Sequence, residues 1–122
     1  TLAVEPSPDQ AARELALAAE KLGVPLSLTS VTLPDASFRG AMLLDYDGRP
    51  LTQIAYLDAG GGPFAYCVIK APKAGEQPPV SVVMGGFNVV HWSGGGYARM
   101  LIGRLPAEQL KRYADVLIGQ PI

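Results

Sequence analysis

The chain has 122 residues, 48% of them hydrophobic and 17% charged, with a formal net charge of −1. That is the size and composition of one compact, soluble globular domain, far from a disordered chain. Lys and Arg are scattered and adjoin only at Lys111-Arg112, so there is no basic field to hold nucleic acid and none is expected as a partner.

Residues 1–6 carry no periodicity and read as a tail or linker, leaving 7–122 as a single domain. Ser7-Pro8-Asp9-Gln10 is a helix start, with a cap at Ser7, proline at the first helical position and Gln10 three residues on. Ala11, Leu15, Ala18 and Leu22 then recur on one face, which predicts a helix over 8–22 that Gly23 and Pro25 end. Leu26, Leu28 and Val31 alternate with polar residues in the manner of a short strand. The apolar runs 41–46 and 51–57 flank Asp47-Gly48-Arg49-Pro50, and an Asp-Gly turn between such runs signals a β-hairpin. Residues 58–63 read as a loop, 64–69 as a strand, and the Pro/Gly/Lys-rich stretch 71–79 as a second loop. A second hairpin pairs 87–92 with 97–102 across Ser93-Gly94-Gly95-Gly96. Pro106 opens a last helix with Leu110, Tyr113, Ala114 and Leu117 on its apolar face, and Gly119 stops it. Hairpin connections make neighbouring strands antiparallel. The predicted class is therefore α+β: a meander sheet of about five or six strands, with an N-terminal and a C-terminal helix packed on one face.

Little in these elements points to catalysis. The glycine runs at 60–62 and 94–96 lie between predicted strands, with no Gly-Lys-Ser/Thr ending and no helix behind them, so they read as turns and not as phosphate loops. One cysteine and one histidine cannot build a disulfide framework or a structural zinc site within the chain. No metal and no cofactor is expected. Cys67 is a candidate redox thiol, but its neighbours Tyr66 and Val68 favour a buried, small-hydrophobe role. His91 and Trp92 are the most suggestive pair, and with Tyr97 and Arg99 on the same hairpin they form the candidate ligand or partner contact. Asp45, Asp47 and Asp58 read as strand-end and turn residues, and no serine lies in a Gly-x-Ser-x-Gly elbow. No residue is assigned a catalytic role, and the chain is read as a non-enzyme.

The strand pair at 48–57 and 62–69 resembles a domain of bacterial transmembrane anti-sigma factors, as does the stretch 87–110. In the latter a strand ends in Trp92, a glycine turn follows, and a second strand runs through Gly103-Arg104-Leu105-Pro106 into the last helix. The resemblance covers roughly 26–118. It implies a sensory or regulatory domain on the periplasmic side of the membrane. One membrane helix would join it to a short cytoplasmic segment that binds an extracytoplasmic-function sigma factor. No apolar run here approaches the ~20 residues that span a bilayer, and the His/Cys zinc motif of many such cytoplasmic segments is missing too. Sigma binding is therefore assigned to no residue of this chain. Because it opens at Thr1 without a signal-like segment, the chain is expected to be a processed protein or a piece whose anchor lies elsewhere. The rival readings are a free-standing periplasmic domain holding a small molecule between sheet and helices, and an enzyme in which Cys67 and His91 meet within about 3.2 Å. A homodimer is a further expectation, since the edges of a small sheet need covering.

Overall fold

A computed structural model of the chain describes residues 6–22 and 26–120, with Leu22 described for its backbone alone. Most of the expected tail, the Gly23/Pro25 helix stop and the last two residues lie outside that range. The first helix, α1, runs Pro8–Leu22 as predicted, and the Ser7 Oγ accepts the Gln10 N–H at 3.1 Å. Ala11, Leu15 and Ala18 are buried along its inner stripe.

The stretch expected to be extended after α1 is instead a short helix, α2, at Leu28–Val31. Ser27 and Ser30 decide it. The Ser27 Oγ accepts the Ser30 N–H at 3.3 Å, and the Ser30 Oγ accepts the Ser27 N–H at 2.9 Å. This reciprocal box satisfies the donors at the helix start locally, an option that period-2 alternation does not register. Leu26 and Val31 are buried all the same.

The strands are β1 (Ala36–Tyr46), β2 (Arg49–Asp58), β3 (Pro63–Lys70), β4 (Gln77–Met84), β5 (Phe87–Gly94) and β6 (Tyr97–Gly103), followed by helix α3 (Ala107–Ile118). They form one six-stranded sheet in the order β1-β2-β3-β6-β5-β4, with every neighbouring pair antiparallel. Two three-stranded meanders thus meet along β3 and β6. The turns at Asp47-Gly48, Gly85-Gly86 and Gly95-Gly96 each place both central residues at positive φ. That geometry matches the strand twist of a tight hairpin and favours glycine. Strand β4 is the element missed in the sequence, because Pro78 and Pro79 lie inside it. It is an edge strand whose pairing shifts between Gln77 and Val80, the setting in which a sheet tolerates proline. The loop expected over 71–79 accordingly ends at Glu76.

Both long helices pack on one face of the sheet, α1 over β1 and β2, α3 over β4, β5 and β6. The layer between is filled by aromatic side chains. Phe64 stacks on Tyr56 at 5.0 Å and on Tyr113 at 4.8 Å, and Tyr66 stacks on Trp92 at 6.2 Å. Two hydroxyls pin the elements together. Tyr56 donates to the Val31 carbonyl of α2, and Tyr113 donates to the Asp58 carboxylate at 3.0 Å.

Candidate ligand and partner surfaces

The opposite face of the sheet is partly open, with Met42 exposed on it and Cys67 and Val89 buried. Side chains alternate along a strand, so the register defines which residues share that face. One row crosses all six strands as Met42, Gln53, Cys67, Met100, His91 and Val80. The next row carries Gly40, Ala55, Ala65, Ile102, Val89 and Val82. Neither row contains a carboxylate, a lysine or an arginine. A shallow groove of about 610 Å³ runs over this face past Met42, Gln53, Ala55, Ala65 and Ile102, with Glu14 of α1 at its rim. The Glu14 carboxylate accepts the Ala41 N–H at 3.1 Å, beside the β1 irregularity between Phe38 and Gly40.

Cys67 lies in the first row but is 6% exposed, and burial pushes its thiol up to about 11. Such a thiol is protonated and unreactive near neutral pH. His91 faces the same side from two strands away, with Met100 between them in register. At the usual interstrand spacing that is about 10 Å between backbones, so the structure does not bring the two into a hydrogen-bonded dyad.

His91 and Trp92 are consecutive in β5 and point to opposite faces, which splits the most suggestive pair in the sequence. Trp92 turns toward the helices and is 4% exposed. The Arg99 guanidinium lies over its ring at 5.3 Å, and the Arg99 Nη1 donates to the Tyr66 hydroxyl at 3.3 Å. Trp92, Tyr97 and Arg99 line one groove of about 640 Å³ at the end of the sheet, together with Glu76, Ile118 and Gln120. Three of the four predicted contact residues are therefore brought together. Three buried polar atoms of this groove's lining residues have no hydrogen-bond partner: Trp92 Nε1, Arg99 Nε and Gln120 Oε1. An unpartnered buried polar group costs about 1–3 kcal/mol, so a cluster of them around one groove calls for a reason. Sequence reasoning missed Glu76 and Gln120, which reach the groove from the loop before β4 and from beyond α3. No local motif marks them, since only the fold makes them neighbours.

The loop at 58–63 is held structurally. The Asp58 carboxylate accepts the Gly60 N–H at 3.1 Å as well as the Tyr113 hydroxyl. Among the described residues no group of three or more His, Cys, Asp and Glu side chains is placed to hold a metal ion. Among them, too, no helix is long and apolar enough to cross a membrane.

This architecture has solved counterparts. It is similar to a chain in the complex of MucA and MucB from Pseudomonas aeruginosa, with a TM-score of 0.54 and 15% identity, over 68% of this chain and 31% of that one. It is also similar to a GTP-binding regulator from Thermotoga maritima, with a TM-score of 0.56 and 11% identity, over 97% of this chain and 95% of that one. What is shared is the fold. The present chain spans about a third of the chain in the first of these structures. No protein-family model matches the sequence, and no curated protein does.

Proposed function

We propose that this chain is the periplasmic regulatory domain of a membrane-anchored anti-sigma factor, a non-enzymatic module that docks a protein partner or a signal. A membrane helix outside this chain would couple it to a cytoplasmic segment that holds an extracytoplasmic-function sigma factor. The observation that carries the proposal is the fold shared with a chain of the MucA/MucB complex, in which MucA is an anti-sigma factor. The exposed apolar side chains Met42, Met84 and Phe87 on the far sheet face support the docking half of it, since exposed apolar groups that share a face mark interaction sites.

The free-standing small-molecule binder is the second reading, and the groove at Trp92, Tyr97 and Arg99 favours it. Its expected pocket between sheet and helices is occupied by the Tyr56, Phe64 and Tyr113 stack. An experiment in the source cell separates the two. Alkaline phosphatase fused after this domain in the intact gene reports its compartment, and a sigma-dependent promoter reports its regulation. The anti-sigma reading expects an active phosphatase and promoter activity that changes several-fold when the domain is deleted. An active phosphatase with an unmoved promoter leaves the free-standing binder, and an inactive phosphatase overturns the periplasmic assignment.

A further inference from the structure

We propose that the groove at Trp92, Tyr97 and Arg99 binds the carboxyl terminus of an apolar peptide. The cation comes first. Arg99 is held in place by the indole of Trp92 and the hydroxyl of Tyr66, yet no ion pair among the described residues reaches it. A half-buried guanidinium stacked on an aromatic ring is preorganised to take a carboxylate, its preferred planar partner. The Nε of Arg99 and the indole Nε1 of Trp92 are both without acceptors, and Trp92 is 4% exposed. Donors left over on that scale match a ligand group that only accepts, which a carboxylate is and an amide is not.

The remaining features narrow the class. Gln120 donates its Nε2 to the Thr32 carbonyl at 3.0 Å, which leaves its buried Oε1 as an unpartnered acceptor in the same groove. A terminal peptide N–H supplies a donor for that atom, whereas an aliphatic acid has none to offer. Ile118, 41% exposed, and Tyr97 supply an apolar wall for a side chain. Glu76 also lines the groove, with one oxygen engaged by the Gly95 N–H at 3.2 Å. The assignment is independent of the anti-sigma reading: either can fail while the other stands.

Trp92 is the only tryptophan in the chain, so its emission reports the groove directly. The probes are an acetylated dileucine acid, the matching amide, and hexanoate, titrated against the whole chain. The acid is expected to shift the emission saturably. The amide should bind about 10- to 100-fold more weakly, the factor that loss of one charged hydrogen bond gives. Arg99→Met should lose the preference for the acid, and Gln120→Leu should weaken the peptide acid while leaving hexanoate unchanged. Circular dichroism establishes that each variant is folded, and the acid-to-amide ratio of the unmodified chain stands whether or not they fold. Equal binding of acid and amide, or no saturable change with any probe, overturns the carboxylate site. Hexanoate binding as tightly as the peptide acid overturns the peptide assignment in favour of an aliphatic acid.

Discussion

At the scale of single residues, Cys67 carries the clearest pH signature. Its ordinary value is 9.0, and burial raises it to about 11 in the folded chain. Below about pH 9 both states keep the proton, and the thiol has no effect on stability. Between about pH 9 and 11 the unfolded chain gives up the proton first, so stability falls as pH rises, by roughly 2–3 kcal/mol in full. Burial also raises Tyr56 and Tyr66, which add a loss above about pH 10. Cys67→Val isolates the thiol: the fall in urea midpoint from about pH 8 to about pH 10 should be smaller in the variant. An unchanged slope would mean that the thiol titrates as if exposed. Burial of Cys67 was legible from its apolar strand neighbours. The opposite fates of His91 and Trp92 follow from the same alternation, but only once the strand is located.

At the scale of elements, the junction of the two meanders depends on a close approach between β3 and β6. A Cβ added at Gly103 would lie 2.7 Å from the Phe64 Cβ and 3.1 Å from the Pro63 carbonyl oxygen. Neither atom is the free end of a flexible side chain, so the strands would have to move. Gly103→Ala is expected to destabilise by about 1–3 kcal/mol, the usual cost of overpacking, read as a lower urea midpoint with an unchanged slope. A stability within about 0.5 kcal/mol of the original would show that the junction is slack. The hairpins at Asp47-Gly48 and Gly95-Gly96 were readable because their turns demand positive φ, which few residues supply. Strand β4 was not, because its prolines are compatible only with an edge, and edge status belongs to the whole sheet.

For the whole molecule, the two faces of the sheet differ in what covers them. One is sealed by α1 and α3, while the other leaves Met42 and Met84 exposed and keeps Cys67 and Val89 buried within its rows. The outer strands are protected against edge pairing by the irregular register of β1 and the prolines of β4. A homodimer, if this chain makes one, is therefore expected through the face. Met42 and Met84 are 54% and 59% exposed on it. The double substitution Met42→Gln and Met84→Gln keeps the net charge and should change stability by no more than about 0.5 kcal/mol. Sedimentation velocity across a concentration series should show weaker self-association in the variant. Identical profiles for both proteins would remove this face from consideration as a contact between copies.

The class, both long helices and the hairpins at Asp47-Gly48 and Gly95-Gly96 were legible in the chain, because periodicity, capping and positive φ are properties of neighbouring residues. Two things could be decided only by the packed chain: that Pro78-Pro79 lies on an edge, and that Trp92, Arg99 and Gln120 share a groove. The physical reason is separation along the chain. A groove assembled from β5, β6, the loop before β4 and the residues after α3 has no local signature, since its energetics arise only when those segments are packed together.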